Sequence, residues 1–156
     1  MGNITACAQV KHEYDLHKLL KMDKNSLDYF TLNGYSNYGK VVDVYDGDTC
    51  SIIISWEGKY RKFKCRCYGY DSPEMKPRLN VENREEIITK AKAAKERFKE
   101  LTDEIVCVKC LEFDKYGRLL VNIYKNNTHI NSTMVKEGHG YVYHGGTKHW
   151  LIFSSV

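Results

Sequence analysis

Five charged side chains, spread over three separated stretches, carry the reactive chemistry this sequence offers. Asp46-Gly47-Asp48-Thr49 comes first, then Arg66 five residues before Asp71-Ser72-Pro73-Glu74, then Asp114-Lys115-Tyr116-Gly117-Arg118. Asp48 and Asp71 suit a hard cation such as Ca²⁺ or Mg²⁺, which takes oxygen ligands, and no His or Cys stands beside them at the spacing zinc would need. Arg66 and Arg118 suit a phosphate, because a guanidinium makes paired hydrogen bonds to two phosphate oxygens where a lysine offers a point charge. Phosphodiester hydrolysis asks for both, since extra negative charge builds up at phosphorus in the transition state. Glu74 adds a carboxylate able to take the proton of an attacking water. Taken singly, each stretch also has a plain structural reading: a turn, a helix lead-in, a hairpin loop.

These residues can meet only if strands bring them together. From Lys40 the pattern is extended: Val41, Val42 and Val44, a turn at Asp46-Gly47, then a run from Thr49 to Trp56 in which Cys50, Ile52, Ile54 and Trp56 share one face. Glu57-Gly58 makes the next turn, and residues 59 to 70 read as a third strand of a meander, with Arg66, Tyr68 and Tyr70 on one face. Asp48 and Asp71 thus flank the hairpin of strands two and three. Pro73 and Pro77 precede an amphipathic helix from about Arg84 to Leu101, whose Ile87, Ile88, Ala91, Ala94, Phe98 and Leu101 recur at helical spacing. Strands over 105 to 113 and 119 to 124, a short helix over 131 to 137 and an extended piece at Tyr141-Val142-Tyr143 follow. The order predicts an α+β, mainly β domain: a five-stranded OB-type barrel with flanking helices.

In residue type, order and spacing from Lys40 to Gly138, the chain resembles the staphylococcal nuclease family. The resemblance rests on Val44-Tyr45-Asp46-Gly47-Asp48-Thr49, on Arg66 ahead of Asp71-Ser72-Pro73-Glu74, and on Asp114-Lys115-Tyr116-Gly117-Arg118. It implies a calcium-dependent endonuclease that cleaves DNA, RNA or both and leaves 3′-phosphate ends. Asp48 and Asp71 would bind Ca²⁺, with Mg²⁺ the lesser candidate, alongside the main-chain carbonyl of Ser72, which stands where the family usually has threonine. Asp46 would reach the ion through water. Glu74, Arg66 and Arg118 match the catalytic trio, and Lys115 and Tyr116 match positions that contact a terminal phosphate. Tyr141 and Tyr143 are candidates for stacking on a base, or for core aromatics at a strand end. The segment from Met75 to Ile88 and the apolar Trp150-Leu151-Ile152-Phe153 tail do not follow the family pattern. The competing reading is a catalytically inactive nuclease-like module that binds nucleic acid or protein; a copy that had lost activity would be expected to have lost some of the five charged groups.

The 156 residues fit one domain with an appended N-terminal segment, set by a change of composition at 37/38: an extension over 1–37 and the barrel over 38–156. The net charge of +4 is mildly basic, which suits a polyanion without requiring one. The longest apolar run is far too short to span a bilayer. The segment from Tyr14 to Met22 is amphipathic, with Leu16, Leu19 and Leu20 on one side. Met1-Gly2-Asn3-Ile4-Thr5-Ala6-Cys7 approaches an N-myristoylation pattern but has Ala6 where Ser or Thr is usual. It reads either as an ordinary start or as an acylated Gly2, with Cys7 taking a second chain to give peripheral membrane association. Six cysteines without a signal peptide ahead of them suit a reduced intracellular setting, cytoplasmic or membrane-associated, and are expected to be buried thiols, not a zinc site. A monomer is expected.

Overall fold

The computed structural model describes residues 13–145. The chain forms two compact units, Met1–Phe30 and Thr31–Val156. In the first, α1 (Glu13–Leu20) is the one regular element among the described residues. Leu16, Leu19 and Leu20, its expected apolar side, are all exposed. Gly2 and Cys7 lie outside the described residues, as does the apolar tail at 150–153. No helix among the described residues is long and apolar enough to cross a membrane.

The second unit contains β1 (Ser36–Val44), β2 (Thr49–Trp56), β3 (Lys59–Cys67), β4 (Tyr70–Asp71), α2 (Arg84–Leu101), β5 (Ile105–Phe113), β6 (Leu119–Lys125), β7 (Thr128–His129), α3 (Ile130–Lys136) and β8 (Tyr141–Val142). The long strands pair antiparallel in the order β3-β2-β1-β5-β6, and a parallel pairing of β3 with β6 closes them into a five-stranded barrel of OB type. Strand alternation sends Cys50, Ile52, Ile54, Cys65, Val106, Val108, Leu119, Val121 and Ile123 inward, all buried. Ala91, Ala94 and Phe98 on α2 and Ile130 and Met134 on α3 add to the buried set. Glu85 and Glu86 in the first turn of α2 and Lys99 in its last complement the helix dipole. The compact unit opens at Thr31, ahead of the composition change at 37/38, because Leu32 is buried and Tyr35 packs on the core.

The continuous strand expected over 59 to 70 is corrected. Pairing with β2 ends at Arg66, and Gly69 takes a left-handed φ of 87°, which turns the chain before β4. Tyr70 therefore leaves the face of Arg66, turns into the core at 1% exposure and donates its hydroxyl hydrogen to the Gly47 carbonyl at 2.6 Å. The thiols of Cys50, Cys65, Cys67, Cys107 and Cys110 are free. Cys107 and Cys110, despite their metal-like spacing, sit three apart on a strand and face opposite ways, with only Cys110 in the core. Burial pushes the Cys65 thiol up to about 12, so it behaves as a small hydrophobe.

Candidate active site

The turn between β1 and β2 is shaped by a close approach. A Cβ on Gly47 would lie 2.8 Å from the side chains of both Ala94 and Ser72, so only glycine lets the turn settle against α2 and the chain after β4. Asp46 Oδ1 accepts the N–H groups of Asp48 and Thr49 at 3.0 and 2.8 Å, an Asx-type turn that fixes the loop. Asp48 is left buried at the mouth of the β2–β3 hairpin, beside Thr49, whose register partner across the sheet is Arg66.

Asp48, Arg66, Asp71, Ser72 and Tyr141 of the sequence-predicted residues meet here. Arg66 Nη1 donates to Asp48 Oδ1 at 2.6 Å and Nη2 to Asp71 Oδ1 at 2.5 Å. Asp48 also accepts the Thr49 hydroxyl hydrogen at 2.8 Å on Oδ1 and the Ser72 N–H at 2.8 Å on Oδ2. Asp71 Oδ2 accepts the Tyr141 hydroxyl hydrogen at 2.6 Å. Asp48 and Asp71 are 2% and 1% exposed, so their charges are removed from water and depend on these donors. Burial, reinforced by Asp46, pushes the Asp48 carboxyl up to about 7 even though Arg66 works against the shift. Burial likewise opposes the charge of Arg66, but Asp48 and Asp71 outweigh it and raise its pKa. Burial and the hydrogen bond to Asp71 raise the Tyr141 phenol.

Arg118 approaches from the β5–β6 turn. Asp114 holds it there, taking the Arg118 N–H at 2.9 Å on Oδ1 and its Nε–H at 2.7 Å on Oδ2, while the Tyr116 N–H also reaches Oδ1 at 2.9 Å. Only Nε of the guanidinium is used in this way, so its outer edge is left for a ligand. Tyr116 lies beneath both Arg118 and Lys115, with ring-to-cation distances of 5.4 and 5.1 Å. An open cleft of about 420 Å³ is lined by Tyr45, Asp46, Thr49, Lys64, Tyr116 and Arg118. Glu74, half-buried two residues beyond buried Ser72, makes no hydrogen bond or ion pair with a described residue. Tyr143 is half-buried, and its N–H pairs with the Gly69 carbonyl at 3.0 Å.

The donor set fits a hard cation by charge and by chemistry. Asp46, Asp48 and Asp71 face one compensating arginine, leaving net negative charge where two of the carboxylates are buried. Among the described residues no group of three or more His, Cys, Asp and Glu side chains converges as a ready-made cage. An ion here would therefore rest on the two buried carboxylates, main-chain oxygen and solvent, the sparse protein coordination that leaves room for substrate oxygens.

Several contributors escaped the sequence reading. Asp114 looked like a turn residue, and its four-residue spacing to Arg118 was the available signal for the buttress. Tyr45 and Thr49 stood in the first motif without an assigned role; Lys64 belongs to no motif, and its signal was its alternation with Arg66 on β3. The bond from Tyr141 to Asp71 depends on the short β4–β8 pairing, which joins residues 70 apart in sequence.

The sequence model of the staphylococcal nuclease homologue family matches residues 64–149, taking in Arg66, Asp71, Glu74 and Arg118 and leaving Asp48 just ahead of the matched segment. An uncharacterized protein of Methanocaldococcus jannaschii is 33% identical over 126 residues, covering 68% of this chain and 59% of its own length. Two probable staphylococcal-like nucleases of Oryza sativa subsp. japonica are each 30% identical over 81 residues, covering 52% of this chain and 19% of theirs. The chain thus spans less than two thirds of each of these relatives.

Proposed function

The chain belongs to the staphylococcal nuclease family, and from that premise we propose that it is a calcium-dependent phosphodiesterase, an endonuclease hydrolysing DNA, RNA or both to products with 3′-phosphate ends. The observation that carries the proposal is the buried Asp48–Arg66–Asp71 bridge, flanked in the chain by Asp46 and Thr49, which line one cleft together with Arg118. Asp48, Asp71 and the Ser72 carbonyl would hold the calcium, with Asp46 reaching it through water. When bound, the ion supplies charge neutralisation and polarisation of a phosphoryl oxygen.

The protein's own groups divide the remaining work. Arg118, fixed by Asp114, presents its outer guanidinium edge to the phosphate and steadies charge on the leaving 5′ oxygen. Arg66 uses three of its five donors on Asp48, Asp71 and the Tyr70 carbonyl, leaving two for a second phosphate oxygen. Glu74, free of competing partners among the described residues, orients the attacking water and takes its proton. Lys115 and Tyr116 flank the cleft where a terminal phosphate would lie. Single- and double-stranded DNA and RNA, incubated with Ca²⁺, Mg²⁺ or chelator and followed by end-group analysis, test the proposal. Calcium-dependent cleavage leaving 3′-phosphates is expected. Cleavage indifferent to chelator would refute the metal's part, and intact substrates throughout would leave a binding module.

A further inference from the structure

The outer face of β3 continues the site away from the cleft. Tyr60, Lys62, Lys64 and Arg66 alternate along the strand and so point to one side, opposite Cys65 and Cys67, which point inward. Register places Ser55, Ile53, Ser51 and Thr49 of β2 beside them in turn, and Lys40 of β1 beside Ile53. Directly paired residues share a face, so Lys40, Lys62 and Lys64 form a cationic patch over a floor of short polar residues and one isoleucine. Lys40, Lys62 and Lys64 are exposed, and none has an ion-pair partner among the described residues. Several cations of α2 are neutralised instead, as in Lys90–Glu86 and Lys99–Glu96.

The surface relief meets this face at Lys64. A second cleft of about 250 Å³, lined by Asp43, Tyr45, Thr49, Cys50, Ser51 and Lys64, shares Tyr45, Thr49 and Lys64 with the cleft that holds Arg118. The two therefore form one trough running from Arg118 past Lys64 and across β2 towards Asp43 of β1, its one carboxylate beyond Asp46. Tyr116 and Tyr45, 71% and 55% exposed, stand at the trough, and Tyr60, 84% exposed, lies beyond its lining on the same face of β3, four residues before Lys64. Lys62 and Lys64 are two residues apart, about 6.6–6.8 Å along the strand, so each can meet its own phosphate. A cationic groove with flanking aromatic rings is the design that holds single-stranded nucleic acid, because only unpaired bases offer free faces for stacking.

We infer that the outer face of β2 and β3 is a track for a single strand of nucleic acid leaving the cleft, with Lys64 and Lys62 on backbone phosphates and Tyr60 under a base. The track deepens the nuclease reading, on which it rests, by naming the form of substrate the site engages. Its test is fluorescence anisotropy with a 12-nucleotide single strand across a salt series, in a Glu74→Gln background so that the probe stays intact. Adding Lys62→Ser and Lys64→Ser should weaken binding at least tenfold and reduce the slope of log affinity against log salt by about 1.4, at roughly 0.7 for each phosphate that is no longer neutralised. Tyr60→Ala should weaken single-strand binding about tenfold with the slope unchanged, since stacking releases no counterions. All three positions are exposed, and equal thermal unfolding midpoints would confirm intact folds.

An unchanged slope in the double variant overturns the track. So does a duplex of equal length that binds as tightly and is weakened as much, because a track for paired strands has no use for Tyr60. Failure of the functional reading shows elsewhere: the unsubstituted chain would cleave no nucleic acid with calcium, whatever the binding slopes.

Discussion

Replacing Arg66 with methionine tests whether one guanidinium carries the charge balance of the site. The variant keeps an apolar stem of similar reach but strips the shared cation from Asp48 and Asp71, whose side chains are each 2% exposed and which Arg66 contacts at 2.6 and 2.5 Å. Removing one partner of a buried charge pair costs about 3–5 kcal/mol, because the remaining charge stays desolvated and unpaired. For a chain of this size that corresponds to a fall in melting temperature of roughly 6–20 °C.

Protonation gives the variant an escape, which sets the pH dependence. Burial already lifts Asp48 from an ordinary 3.8 to about 7, and loss of Arg66 removes the strongest force acting the other way. A carboxyl whose folded pKa exceeds its unfolded one favours folding when protonated, and this contribution is lost as pH rises from about 4 through the folded value. The variant should therefore be most impaired at pH 8 and partly restored at pH 5. Urea unfolding of both proteins, followed by circular dichroism in chelator at the two pH values, reads this directly. A loss below about 1 kcal/mol at pH 8, or the same loss at both pH values, would show that the two carboxylates do not depend on Arg66 for their countercharge.

Other consequences are as specific. Gly47→Ala places a methyl 2.8 Å from the side chains of Ala94 and Ser72, so it should cost about 1–3 kcal/mol in urea unfolding and reduce cleavage by shifting Asp48. At Asp114 burial pushes the carboxyl up, but the donors of Arg118 and Tyr116 outweigh it and lower its pKa. The stability it contributes is present at neutral pH and lost as pH falls through that lowered value, so Asp114→Asn should flatten the acid limb of an unfolding titration and slow cleavage through a loosened Arg118. If Asp48 holds the proposed calcium, the ion competes there with a proton, so affinity measured by calorimetry should rise between pH 6 and pH 8; equal affinities would remove Asp48 from the ligand set.

Local pattern made the elements legible, and long-range pairing decided what it could not. The alternation of Cys50, Ile52 and Ile54 and the helical spacing of Ala91, Ala94 and Phe98 announced β2 and α2 because each buries one face. The break at Gly69 was hidden, since alternation continues through Tyr68 and Tyr70 in the sequence although the chain turns between them. The order of elements predicted the barrel, but the register that closes it was hidden, because the parallel match of Cys65, Arg66 and Cys67 with Leu119, Leu120 and Val121 leaves no local mark. At the site, residue types announced a cation and a phosphate. That Arg66 bridges both carboxylates, and that Tyr141 braces Asp71, depends on three-dimensional neighbours that no spacing encodes.

The proposed phosphodiester hydrolysis turns on Glu74 handling the water. Single-turnover cleavage of a labelled DNA or RNA strand at saturating calcium, comparing the unsubstituted chain with Glu74→Gln, tests it most directly. Calcium-dependent cleavage is expected, slowing by about 10²-fold or more in the variant while the strand stays bound. Equal rates in the two proteins, or binding without cleavage in both, would contradict it.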